Sequence, residues 1–99
     1  MRNIRILQKR VQDKGFKEVI IPNRLESFQN LVGGPIETVT VATDCVVICN
    51  EEGRLQDLEC NCSYMGIDFV GPILIVGVDG EEFTDSPWSV TMANKGIEG

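Results

Sequence analysis

Histidine is absent from this 99-residue chain, and positive charge is scarce beyond its first quarter. The first absence removes the commonest general base near neutral pH and the commonest transition-metal ligand. Catalysis would have to rest on carboxylates, or on a cysteine with no imidazole beside it, which argues against an enzyme. No apolar run approaches the roughly 20 residues that cross a bilayer, so no membrane association is expected. The amino-terminal stretch Met1 to Arg10 alternates polar and apolar residues and lacks a continuous apolar segment. It does not read as a secretory signal, and the expected location is the cytoplasm. Neither GxGxxG nor GxxxxGK[ST] occurs, so a standard phosphate-cradling loop is unsupported. None of the carboxylate clusters has calcium-loop spacing.

The shortage of positive charge is uneven. Residues 1–24 carry seven Lys/Arg (Arg2, Arg5, Lys9, Arg10, Lys14, Lys17, Arg24) against Asp13 and Glu18. Residues 25–99 carry only Arg54 and Lys95 against thirteen acids, and the whole chain has a net charge of −6. An acidic field repels phosphate, so direct nucleic-acid binding by the later three quarters is disfavoured. A basic protein partner suits it better. The competing explanation is a solvated acidic surface that keeps the protein soluble.

Four cysteines are present, Cys45, Cys49, Cys60 and Cys62. A zinc site is disfavoured by geometry. On one strand Cys45 and Cys49 would be roughly 13 Å apart, at about 3.3 Å per residue. That is too far for one tetrahedral ion or for a disulfide. They read as small core residues, with Cys60 and Cys62 as loop thiols in a reducing compartment. No metal and no cofactor is expected.

The length suits a single domain over residues 1–99. Alternation predicts a strand over 3–9, a polar turn ending at Gly15, and a second strand over 16–21 forming a hairpin with the first. Asn23, with Glu26 three residues on, resembles a capping box. Leu25, Phe28, Leu31 and Val32 predict one amphipathic helix over 24–32, stopped by Gly33-Gly34-Pro35. Strands follow over 36–42 and 45–49, joined by a Thr43-Asp44 turn. Asn50-Glu51-Glu52-Gly53 reads as a turn, and 55–66 as a loop. A strongly apolar strand over 69–78 contains Pro72, which marks an irregularity or an unpaired edge. Asp79-Gly80 reads as a turn. Ser86 as cap and Pro87 at the first helical position predict a second helix, ended by Gly96. The expected fold is α+β: a mixed, mainly antiparallel sheet of about five strands with one or two packed helices, in the order ββαββ-loop-βα.

The candidate binding residues are Asn50, Glu51, Glu52, Asn61, Tyr64, Glu81 and Glu82. Asn both donates and accepts hydrogen bonds, and acidic turns can meet a basic surface. Tyr64 sits with Met65 in the expected loop, and Tyr and Met are favoured in interface cores. Trp88 is expected to pin the last helix to the sheet. Catalytic residues are not assigned. A carboxylate-based enzyme would have to use Glu37 or the Asn50–Glu52 turn.

The segments Ile21-Pro22-Asn23, Leu25-Glu26, Leu31-Val32-Gly33-Gly34 and Ile36-Glu37 form a combined pattern with Ile48-Cys49-Asn50-Glu51-Glu52-Gly53, Asn61 and Gly71 through Gly80. This pattern resembles a phage and mobile-element domain of unknown function of the DUF3846 type, over roughly residues 3–85. The cysteine-rich Cys60-Asn61-Cys62 departs from it, and the last fifteen residues match nothing in it. The family has no assigned activity, so no catalytic residue carries over. The resemblance implies an accessory gene of a phage or plasmid, acting in a bacterial host cytoplasm.

Accessory proteins of that kind often inhibit by occupancy. The leading expectation is therefore a non-enzymatic, anti-CRISPR-like binder that antagonises a host defence or regulatory protein through its acidic surface. The alternative is an oligomeric sponge for a nucleotide immune signal, using Arg2, Arg5, Arg54, Asn50 and Asn61. Homo-oligomerisation is left open by the residues themselves.

Overall fold

Val46 to Cys49 and Ile73 to Val76 are apolar at every position, so strands built from them need cover on both faces. The computed structural model, which describes residues 2–98, supplies that cover from two directions. The two ends of the expected domain, residues 1 and 99, lie outside the described residues. In chain order the elements are β1 (Asn3–Lys9), β2 (Lys17–Pro22), α1 (Leu25–Val32), β3 (Ile36–Ala42) and β4 (Cys45–Asn50). They continue with β5 (Cys60–Tyr64), β6 (Ile67–Val70), β7 (Ile73–Asp79), β8 (Glu82–Thr84), α2 (Val90–Asn94) and β9 (Ile97–Glu98).

The main sheet runs β2-β1-β7-β4-β3, with β8 pairing the second half of β7. A smaller sheet runs β6-β5-β9. Period-two alternation then sorts side chains to the two faces of the main sheet. Ile4, Ile6, Val46, Ile48, Leu74 and Val76 share one core with Phe28 and Val32 of α1. Leu7, Cys45, Val47, Cys49, Ile73 and Ile75 share the other with Tyr64 and Phe69 of the small sheet and Ala93 of α2. The architecture is a helix, a large sheet, and a small sheet with a short helix, stacked in three layers.

The α1 helix forms where its apolar residues recur on one side. Phe28 and Val32 are almost completely buried, and Phe28 meets Phe83 edge-to-face at 5.0 Å. Each such side chain contributes about 2 kcal/mol by leaving water. Gly33 ends the helix at φ 84°, and its amide donates to the Gln29 carbonyl, as the left-handed stop expected there requires.

The α+β class and the antiparallel character hold, but the described residues form nine strands rather than about five. Every pairing among the described residues is antiparallel, so the sheets are not mixed. The expected strand over 69–78 divides at Gly71-Pro72 into β6 and β7, which lie in different sheets. Proline lacks an amide hydrogen, and the chain uses that break to cross between layers. The expected loop over 55–66 contains β5. Met65 and Gly66, both at positive φ (50° and 83°), close a two-residue hairpin from β5 to β6.

Both helix starts are corrected. Arg24 occupies the cap position of α1 with no side-chain cap bond, while the Asn23 carboxamide donates instead to the Phe83 carbonyl. Ser89, not Ser86, caps α2 by accepting from the Met92 amide at 3.1 Å. Ser86 is buried in the preceding turn, where its hydroxyl accepts from the Trp88 amide. No helix among the described residues is long and apolar enough to cross a membrane.

Candidate functional site

Glu37 and Val39 stand opposite Cys49 and Val47 across the β3–β4 pair, so all four point to the small-sheet side. Val39, Val41 and Ala42 of β3 are only partly covered by the core shared with the small sheet. Between this part of β3 and β6 lies a cavity of about 240 Å³. Val39, Cys49, Phe69 and Val70 provide its apolar walls, while Glu37, Glu51, Arg54 and Asp68 stand at its mouth. Leu55 and Ile67 add an apolar lip, and Leu55 is 86% exposed.

The turn after β4 sets that mouth. Asn50 is buried, its carboxamide oxygen accepting from the Glu52 amide at 2.7 Å. Its nitrogen donates to the Val32 carbonyl at the end of α1 and to Gln56 Oε1. This holds Glu51 outward. Arg54 donates to the Asp68 carbonyl at 3.1 Å, which ties the turn to β6. Glu37 and Glu51 form no ion pair among the described residues; the three pairs present join Arg2 to Asp85, Arg5 to Glu18 and Arg10 to Asp13. The mouth therefore holds three carboxylates against one guanidinium. Burial pushes the Cys49 thiol up to about 11, with the nearby Glu37 carboxylate adding to the effect. It is a neutral wall group at physiological pH.

A second cavity, of about 290 Å³, lies beside α2 and is lined by Tyr64, Met65, Trp88, Met92, Lys95 and Gly96. Tyr64 takes part from below. The sequence suggests an exposed loop aromatic, but the ring is fully buried, edge-to-face with Phe16 at 5.4 Å. Its hydroxyl donates to the Ala93 carbonyl at 2.6 Å. The unrecognised strand β5 is what carries it inward.

The other candidates are scattered. Asn61 is half-buried and bonded to Lys9 and to Gly71, as a joint between the two sheets. Glu81 and Glu82 lie in and just after the β7–β8 turn. By the antiparallel register of β4 and β7, that turn is near Cys45, at the opposite end from Glu51 and Glu52. The cations of the sponge alternative are divided too. Arg54 is at the cavity, whereas Arg5 is held by Glu18 and by the Ser86 and Trp88 carbonyls. Arg2 faces Asp85 at 3.7 Å.

The sequence reading missed Val39, Leu55, Ile67, Phe69 and Val70 as site residues. One signal was available: Leu55 is a large apolar residue in a charged turn. The rest depend on which strand lies over which. Among the described residues no group of three or more metal-ligating side chains is gathered.

No curated protein and no solved structure matches this chain. A family match, described as a domain of unknown function (DUF3846), spans residues 4–94. That span takes in both sheets except Asn3 of β1 and the two-residue β9, and the whole cavity at β3 and β6, so the chain belongs to the DUF3846 family.

Proposed function

We propose that this protein is a non-enzymatic binder that occupies a basic surface of a protein partner. In its biological setting, as an accessory protein of a phage or mobile element, it would antagonise a defence or regulatory protein of the host. The observation that carries the reading is the cavity at β3 and β6, where apolar walls from Val39, Phe69 and Val70 meet Glu37 and Glu51, neither of which forms an ion pair among the described residues. An apolar centre with a charged rim is the usual build of a protein interface. A lysine or arginine side chain would lay its aliphatic stem along Val39 and Leu55 and present its charge to the two carboxylates.

Support for the sponge is thinner. Its arginines lie at two ends of the sheet, and the cavity is at the small end of the range for organic ligands.

The test is capture of partners from a bacterial lysate on the immobilised protein, with elution by rising salt. Capture should fall between about 0.15 and about 0.5 M salt as the charges are screened. Glu51→Lys and Glu37→Lys should weaken it, and reversal at Glu81 and Glu82 should matter less. Salt-insensitive capture, unchanged by the Glu37 and Glu51 reversals, would overturn the reading.

A further inference from the structure

We propose that β3 is a docking edge, where an extended basic segment of the partner adds to the main sheet as a further strand. The proposal deepens the binding reading above and rests on it. Strand addition supplies main-chain hydrogen bonds, and alternate side chains supply specificity.

The two ends of the main sheet differ in how they are guarded. β2 carries Lys17, Glu18 and Pro22, and Glu18 is engaged by Arg5 at 2.9 Å. Charges and proline are the usual means of discouraging edge pairing. β3, at the other end, reads Ile-Glu-Thr-Val-Thr-Val-Ala, with a single charge and no proline. Its register with β4 is regular from Ile36 to Thr40 and shifts only between Thr40 and Ala42. A regular, β-branched stretch is thus left with no strand on its outer side among the described residues.

The cavity gives that edge a preference. Glu37 and Val39 point to the cavity side, and Thr38 and Thr40 point to the other face, where both are exposed. A residue of an added strand directly opposite Glu37 would have its Cβ about 5 Å away, on the cavity side. Lysine or arginine there would meet Glu37 and reach towards Glu51. Two positions along, opposite Val39, an apolar residue would cover the valine. The intervening residues would stand beside Thr38 and Thr40 and be polar. The segment recognised therefore alternates, with basic and apolar residues on one face and polar residues on the other.

Charge selects this occupant over a second copy of the chain. Each copy has a net charge of −6, and pairing β3 with β3 would bring two acidic mouths together. A basic strand removes that repulsion and neutralises the rim.

The test uses a short blocked peptide of alternating lysine or valine with threonine, and three controls. These are a shuffled peptide of the same composition, a lysine-to-glutamate version, and versions N-methylated on alternate amides. Anisotropy should show salt-sensitive binding of the parent peptide, weakened about tenfold or more by shuffling or charge reversal. One N-methylated set should fail, because methylation removes the donors that face β3. Amide exchange in residues 36–40 should slow on binding. Equal binding by the N-methylated and shuffled peptides, with no slowing in β3, would overturn the docking edge. Lysate capture that still depends on Glu37 and Glu51 would in that case leave the wider binding reading standing. Concentration-dependent dimerisation that slows exchange in β3 without peptide would assign the edge to a second copy instead.

Discussion

Asn61 and Lys9 bond to each other twice. The Lys9 ammonium donates to Asn61 Oδ1 at 2.7 Å, and Asn61 Nδ2 donates back to the Lys9 carbonyl at 2.9 Å. The same nitrogen also donates to the Gly71 carbonyl at 2.9 Å. Lys9 is only 4% exposed, so its charge is held between the sheets by one carboxamide. Asn61 therefore locks β1, β5 and the Gly71-Pro72 crossover together.

Asn61→Ala should destabilise the protein by about 3 kcal/mol, because it strands a buried ammonium and removes two carbonyl partners. Lys9→Met should cost less, since a buried charge is replaced by apolar volume. Urea unfolding of the two variants would measure this. Equal losses would mean that Asn61 is not the joint described.

Tyr64→Phe should cost about 1 kcal/mol through loss of the bond to the Ala93 carbonyl, with the ring packing against Phe16 kept. Thermal unfolding would report it. A loss as large as that of Tyr64→Ala would show that the hydroxyl, rather than the ring, holds α2 against the small sheet.

The four thiols should separate by reactivity. Cys60 is exposed. Burial raises Cys62, although nearby Lys9 opposes that, and burial pushes Cys45 and Cys49 up to about 11. Thiolate is the reactive form. Iodoacetamide on the native protein at neutral pH should label Cys60 first, Cys62 slowly, and Cys45 and Cys49 only after unfolding. Mass mapping of an early β4 adduct would contradict the burial of that strand.

Stability should fall in alkali. Burial holds Cys45 and Cys49 near 11 and Tyr64 near 12, above their ordinary values of 9.0 and 10.0. A raised folded pKa favours the folded state while the group is protonated. That contribution is complete below pH 9 and is lost as pH rises through 11 and 12. Denaturant midpoints should therefore drop across this window, and less so in a variant with Cys45→Ala and Cys49→Ala compared with its own neutral value. An unchanged midpoint up to pH 11 would refute it.

Asp13 should give the opposite dependence. Hydrogen bonds from the Arg10 side chain and backbone lower it from 3.8 to about 2. A lowered carboxylate stabilises the fold above its unfolded value, and the effect fades as pH falls from about 4 towards 2. The native chain should melt above Asp13→Asn at neutral pH, and the two curves should converge in acid. A constant offset down to pH 2 would show that the turn is held by something other than charge.

Much of the framework was legible from local pattern. The alternation of β1 and β3, the apolar runs of β4 and β7, and the glycine stop after α1 are each written within a few residues. The periods of helix and strand act on neighbours in the chain. The Asn50 turn was legible as a turn, though the sequence could not show that its carboxamide is committed to Glu52, Gln56 and Val32. Asn61 likewise reads as a reading head and turns out to be a joint.

The small sheet was not legible. Cys60-Asn61-Cys62-Ser63-Tyr64 has weak alternation, and β9 has only two residues. These strands form because they can cover the second face of β4 and β7, a demand that arises only once those strands are central. The same stacking decides where the small sheet ends, and so where Glu37, Val39 and Phe69 leave a cavity. Local sequence set β1 to β4, β7 and the acidity of this protein. Tertiary packing alone decided which edge stays open and which carboxylates stand beside it, because both depend on layers brought together from distant parts of the chain.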